Sequence, residues 1–190
     1  MQIRAVTQDD LQAVRDIDGT VESSSYLHLE SGGEGLAVSW QLDERKAREK
    51  LIEANALDDD AYFTLKQIVG GIEEGLAIAV ELNDQPVALL VARKEPGTSA
   101  EAGTLRVIDL RVDYDYRRQG LGTALVYQAI GWAREAEVRA MAVHTLTNNV
   151  PAAALFQKCG FELSGVDTRR RSNHDLVKEA ATLFWYVPLD

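Results

Sequence analysis

The sequence predicts an α/β (α+β) chain, and three observations carry that expectation. An apolar alternating run, Leu105 to Val112, leads into Arg117-Arg118-Gln119-Gly120-Leu121-Gly122, which opens a helix-patterned segment from Leu121 to Ala136. Two more apolar runs, Leu76 to Leu82 and Val87 to Arg93, flank Asn83-Asp84-Gln85-Pro86 and read as a β-hairpin. Strand and helix patterns share the remainder, with no internal repeat, low-complexity tract or linker.

Taken in order, Gln2 to Val6 alternates as a strand, and Thr7 or Gln8-Asp9-Asp10 signals a helix through about Ile17. Residues 18–42, with Ser23-Ser24-Ser25 and Gly32-Gly33-Glu34-Gly35, read as a loop whose length suits service to a site. Helical patterns follow at about 42–55 and 60–74, then the hairpin, then a Pro-Gly loop from Glu95 to Gly103. The helix at 121–136 places Leu121, Leu125, Trp132 and Ala133 on one stripe. Ala140 to Thr145 reads as a strand. A short helix after Asn149 stops at Gly160, a left-handed cap, and Phe161 to Val166 and Ala181 to Val187 read as closing strands.

With 190 residues the chain suits one core and one domain, 1–190. No apolar run approaches the roughly 18 residues of a membrane helix. The start, Met-Gln-Ile-Arg-Ala-Val, lacks a basic region followed by a long apolar stretch, so a cytoplasmic protein is expected, with no membrane partner. The single cysteine, Cys159, excludes an internal disulfide and reads as a small buried apolar residue. His28, His144 and His174 lack ligand spacing, so no metal is expected. A net charge of −10 argues against nucleic acid, which needs clustered lysine and arginine. That charge either draws cationic small molecules and basic peptides or simply keeps the chain soluble.

The glycine loop has the chemistry of a pyrophosphate cradle. The first N–H groups of a helix have no internal acceptor, and the helix dipole adds partial positive charge there. Glycines at 120 and 122 let an anion approach the backbone, and Arg117 and Arg118 offer charge-assisted donors. A P-loop would end in Gly-Lys-Ser or Gly-Lys-Thr, whereas this loop continues Gly122-Thr123-Ala124. A dinucleotide fingerprint would want a small residue where Leu125 stands.

Arg117-x-x-Gly120-x-Gly122 at a strand-to-helix turn resembles the acyl-CoA signature of the GNAT N-acetyltransferase superfamily. Asn149, Ala152, Phe156 and Gly160-Phe161 resemble its second element, and the likeness covers residues 70 to 187 well. Asn148-Asn149, Cys159-Gly160-Phe161, Gly165-Val166-Asp167-Thr168, Asn173 and Phe184-Trp185-Tyr186 look more narrowly like the streptothricin acetyltransferases. The superfamily resemblance implies a mixed, mostly antiparallel sheet of about six to seven strands flanked by four to five helices. It implies acetyl-CoA as co-substrate, held by Leu110, Val112, Arg117, Arg118, Gln119, Gly120, Leu121, Gly122, Thr123, Asn149, Ala152 and Phe156. The arm of the cofactor would lie where the central strand splays from the strand after it. An amine would attack the thioester directly, without an acyl-enzyme or a metal. Homodimers are common among such proteins, yet no motif here specifies one.

The acceptor implied is a small cationic amine, such as a streptothricin-like antibiotic. A protein N-terminal or lysine amine and a non-catalytic acyl-CoA-binding module are the alternatives. An amine with pKa near 10.4 arrives protonated, so a proton acceptor is needed. Asp109 is the first candidate, unless it pairs structurally with Arg106 or Arg111. Phe156 stands where the resembled family usually has a tyrosine that protonates the thiolate. A thiolate with pKa near 8.5 leaves tolerably without it, and Tyr127, Tyr186 or water could substitute, unless the two tyrosines are packing residues. Asp167 is either an amine anchor or a turn cap. Tyr26 and Trp40, in the 18–42 stretch, are the expected substrate-binding residues.

Overall fold

The computed structural model describes residues 1–189. Its first elements are β1 (Gln2–Ala5), α1 (Leu11–Arg15), β2 (Val21–Glu34), β3 (Ala37–Glu53) and α2 (Asp59–Val69). The hairpin β4 (Gly75–Leu82) and β5 (Gln85–Lys94) leads to β6 (Thr104–Val112) and α3 (Leu121–Glu135). The chain ends with β7 (Ala140–Leu146), α4 (Val150–Lys158), β8 (Glu162–Asp167) and β9 (Thr182–Pro188). Seven strands form one sheet in the order β1-β4-β5-β6-β7-β9-β8, while β2 and β3 form a second sheet by themselves. The β1/β4, β4/β5 and β5/β6 pairs are antiparallel and β6/β7 is parallel. The α/β class and the mixed, mostly antiparallel sheet are as expected.

The chain divides into two compact units, one of Met1–Thr20, Ala54–Val143 and the residues from Tyr186, the other of Val21–Glu53 and His144–Trp185. In the first, Asn83 and Asp84 turn the β4–β5 hairpin with φ of 50° and 61°, the two-residue turn that matches strand twist. Pro86 therefore lies inside β5 rather than in the turn, opposite Glu81 at a register shift, where a missing N–H is tolerated. Ala77, Ala79, Leu89 and Val91 face Val14 of α1 and Ala61 and Leu65 of α2 in one buried cluster. The alternate residues Ile78, Val80, Ala88 and Leu90 are buried on the other side of the strands. Along α3 the buried stripe is Leu121, Leu125, Val126, Ala129, Ile130 and Ala133.

A bulge in β6 decides where its charged side chains go. Val91 pairs with Asp109 but Ala92 pairs with Val107, so Ile108 is the extra residue. In an unbroken strand Asp109 and Arg111 would share a face with Leu105 and Val107. The inserted residue reverses the alternation and turns them to the face of Leu89 and Val91, toward the α1–α2 cluster.

The second unit overturns two expectations. Residues 18–42 are largely the hairpin β2–β3 rather than a loop, and 42–55 is mostly strand rather than helix. Good helix formers in β3 are held extended by cross-strand partners: Arg45 meets Glu30 at 2.5 Å, Ser25 Oγ donates to Glu44 at 2.6 Å, and Lys50 pairs with Glu22. Such pairing outweighs local propensity. Gly33 and Gly35 take φ of 90° and 61° at the hairpin tip, which explains the glycines there. In the same unit Asn149 caps α4 by accepting from Ala152 N–H at 3.2 Å, and Gly160 ends it at φ 92°, as expected.

Candidate functional site

The glycine loop lies in the first unit, directly after β6. Gly120 caps α3 with φ 84°, and the first helical hydrogen bond is Ala124 N–H to Gly120 O at 3.0 Å. The N–H groups of Leu121, Gly122 and Thr123 consequently have no acceptor within the helix. A Cβ at residue 120 would meet open space, so glycine is required by backbone conformation and the front of the helix is unobstructed. A phosphate oxygen fits this cradle of donors and positive dipole.

Arg117 works differently from the expectation. Its Nε donates to Val112 O at 3.0 Å and its Nη2 reaches Asp18 O at 3.4 Å, with the guanidinium 5.2 Å from the Tyr114 ring centre. It ties the loop to the end of β6. Asp18 is in turn held below the usual carboxylate range by Thr20 and, more weakly, by Arg117. Arg118 and Gln119 are the exposed side chains beside the cradle, and Arg118 holds a left-handed φ of 62°.

The second feature is the edge of β6. It pairs with β7 only from Thr104 to Arg106, through Ala140 to Ala142. Val107 to Val112, which include Leu110 and Val112, have no ladder partner on that edge. Apart from Val112 O, which accepts from Arg117 Nε, the backbone groups on that edge are open to an extended ligand.

The third feature is Asp109. Both of its oxygens accept from Arg111, Nε to Oδ2 and Nη2 to Oδ1, each at 2.7 Å. Arg106 instead lies 2.8 Å from Glu95. Arg111 is 3% exposed, and its Nη1 donates to Asn55 O at 3.1 Å. A Cβ on Gly19 would come within 2.5 Å of that same carbonyl, so Gly19 permits the close approach. Tyr127 is half exposed on α3, and Tyr186 Oη accepts from Arg139 Nη1 at 2.5 Å. No hydrogen bond joins Asp109, Tyr127 and Tyr186 among the described residues.

In the second unit Phe156 is buried, its ring 5.3 Å from that of Phe161. Asp167 Oδ1 accepts from Arg169 N–H at 2.9 Å, the turn-capping arrangement. Tyr26 pairs with Arg45 and Trp40 with Ser31, which puts the two aromatics on opposite faces of the hairpin. His28 Nδ1 lies 3.0 Å from Glu179. Trp185 Nε1 donates to Thr145 Oγ1 at 2.8 Å inside the unit, a packing role. Among the described residues no group of three or more His, Cys, Asp or Glu side chains could hold a metal ion, and no helix is long and apolar enough to cross a membrane.

Sequence reasoning missed the Ile108 bulge and the cluster of Arg93, Glu95 and Arg106. The signal for the cluster was Arg93-Lys94-Glu95 closing an otherwise apolar run.

A mixed sheet, a half-unpaired central strand and a glycine-capped helix directly after it define an α/β protein built to hold a phosphate-bearing ligand. The chain belongs to the acetyltransferase (GNAT) family, whose match spans residues 39–161. Streptothricin acetyltransferase A of Bacillus subtilis (strain 168) is 37% identical over 84 residues, 44% of this chain and 48% of the relative. The streptothricin acetyltransferase of Escherichia coli is 33% identical over 75 residues, 40% of this chain and 43% of the relative. These matches span about half the length of the curated relatives. A Bacillus anthracis str. Ames protein assigned as a streptothricin acetyltransferase and solved with acetyl coenzyme A superposes with a TM-score of 0.78 at 21% identity, covering 100% of this chain and 97% of that one. At that identity the likeness speaks to the fold.

Proposed function

We propose that residues 1–190 form one acetyltransferase domain that transfers an acetyl group from acetyl-CoA to a primary amine of a small cationic acceptor, streptothricin-like in kind. The observation that carries the reading is the Gly120-capped start of α3 beside the unpaired half of β6, in a chain of this family. The free N–H groups of Leu121, Gly122 and Thr123, with Arg118 and Gln119, hold the pyrophosphate. Arg117 positions that loop. Leu110 and Val112 offer backbone groups to the arm and to the charge that develops on the thioester oxygen. Asn149, Ala152 and Phe156 are assigned to the same ligand through the family likeness. When bound, acetyl-CoA supplies an activated acyl group whose thiol, with a pKa near 8.5, leaves readily. Holding the amine beside it contributes several kcal/mol to the rate.

Asp109 is a structural counter-ion for Arg111 in this reading, since Arg111 occupies both of its oxygens. The ammonium proton passes to solvent, and Tyr127 and Tyr186 are the candidate donors to the thiolate. The acceptor's cationic nature rests on the net charge of −10 and the streptothricin relatives. Tyr26, Trp40 and Asp167 are proposed as acceptor contacts, with Tyr26 and Trp40 acting from separate faces of the hairpin. A small-molecule amine is thus the proposed partner.

The test is release of free thiol from acetyl-CoA against streptothricin, aminoglycosides, polyamines and N-terminal peptides. Release with streptothricin or another small cation supports the proposal, and release with peptides alone moves the acceptor to protein amines. Silence with tight acetyl-CoA binding leaves a non-catalytic binding module, the reading that Phe156 favours.

A further inference from the structure

We propose that the first unit carries a second ligand site, for a basic amino acid, in a cleft of about 420 Å³ between α2 and the strands β5 and β6. The site contains no residue of the glycine loop, nor Asp109, and does not depend on acyl transfer.

Three of its lining residues hold buried charged atoms that make no hydrogen bond: Glu73 Oε2, Arg93 Nε and Arg106 Nε. Arg106 Nε does lie 2.8 Å from Glu95 Oε1, but that contact is an ion pair by distance alone, with the N–H directed off the line. Unmet buried donors and acceptors each cost about 1–3 kcal/mol, so folded proteins rarely leave several at one place without a partner.

The chemistry of these atoms specifies the partner. Arg93 and Arg106 share a single carboxylate, Glu95, whose side chain is 6% exposed, so the pair retains one uncompensated positive charge. A ligand carboxylate answers it, with the planar donor geometry that guanidinium offers. Glu73 Oε2 calls for the opposite, a donor of positive charge such as an α-ammonium. Asp58 and Asp60 add two more carboxylates at the α2 end, and Asp58 uses one oxygen to accept from Ala61 N–H at 2.7 Å. The cleft thus has a cationic end at Arg93 and Arg106 and an anionic end at Asp58, Asp60 and Glu73, and a ligand with one carboxylate and two cationic groups meets both ends. Ile108 and Phe63 supply apolar wall for an aliphatic stem between its two ends. Those features describe L-lysine or L-arginine.

Calorimetric titration of the full chain with L-lysine and with L-arginine, without acetyl-CoA, tests the site. The expected result is saturable one-site binding. Glu73→Gln and Arg93→Lys each remove one of the unmet atoms while retaining size, and each should weaken binding at least about tenfold, the loss of one charge-assisted hydrogen bond. Cadaverine, which lacks the carboxylate, should bind the unaltered protein at least about tenfold more weakly than L-lysine, a comparison that needs no variant. Absence of saturable binding by either amino acid would mean that water satisfies these atoms and would overturn the proposal. So would equal binding of cadaverine, or binding that both folded variants leave unchanged.

Discussion

Asp109 and Arg111 are two residues apart on β6 and grip each other through two parallel hydrogen bonds of 2.7 Å, with the guanidinium also holding Asn55 O. The Ile108 bulge sets both on one face, and Gly19 lets the chain pass close to the same carbonyl. An acid in the middle of a buried strand is thereby explained without catalysis. Its carboxylate neutralises an arginine that is almost wholly out of water.

Asp109→Asn should therefore act on stability. It leaves the Arg111 charge with a poorer partner, at a cost of roughly 2–3 kcal/mol. Turnover per folded molecule should stay near that of the parent, and the acidic limb of its pH–rate profile should not move. A collapse of turnover at unchanged melting temperature would instead make Asp109 the general base.

The loop before α3 yields a pair of substitutions with opposite effects on folding and the same effect on binding. Gly120→Ala forces a side chain into φ 84° and should cost about 1–2 kcal/mol. Arg118→Gly relieves φ 62° and should stabilise by about 0.5–1 kcal/mol. Both should raise the KM for acetyl-CoA severalfold, the first by displacing the donor N–H groups and the second by removing a positive charge. Chemical denaturation alongside initial rates checks the two signs. An unchanged KM in both variants would remove this loop from the cofactor site.

Periodicity and turn chemistry made most of the first unit legible. Alternation marked the central strand, Asn83-Asp84-Gln85-Pro86 marked the hairpin, though only its first two residues form the turn, and the glycine loop marked the start of α3. The hairpin β2–β3 was not legible, because its serines and glycines look like a loop and its Glu, Lys and Arg residues favour helix. Only partners across the strand, such as Glu30 for Arg45 and Glu22 for Lys50, reverse that preference. At the site, residue types were readable but directions were not. The sequence shows Arg117 beside Gly120, yet not that its Nε turns back to Val112 O. Nor could it show that one bulged residue moves Asp109 to the other face.

Acid should weaken the fold through Asp10. Arg4 donates to both of its oxygens, at 2.7 and 2.8 Å, and Thr7 N–H adds a third bond, so its carboxyl titrates well below the usual carboxylate range. A depressed folded value means that this stabilisation is fully present above the unfolded value, near pH 4, and fades as pH falls through the folded one. The stability difference between the parent and Asp10→Asn should accordingly be constant above about pH 5 and shrink below about pH 4. A difference that stays flat to the acid end would show that the pair contributes no linked stability.

Phe156→Tyr asks whether this chain can accept the donor its family usually carries. Phe156 is 3% exposed and meets the edge of Phe161, with their ring centres 5.3 Å apart. A hydroxyl added at such a position lacks an evident partner, and burying it unpaired costs about 1–3 kcal/mol. The expected outcome is a lower melting temperature with no gain in kcat, because the oxygen would be enclosed rather than presented to the leaving thiolate. Measured kcat that rises severalfold at unchanged stability would show instead that the ring edge is open to the reacting sulfur. In that case Phe156, and not Tyr127 or Tyr186, would mark the place from which a proton reaches the thiolate.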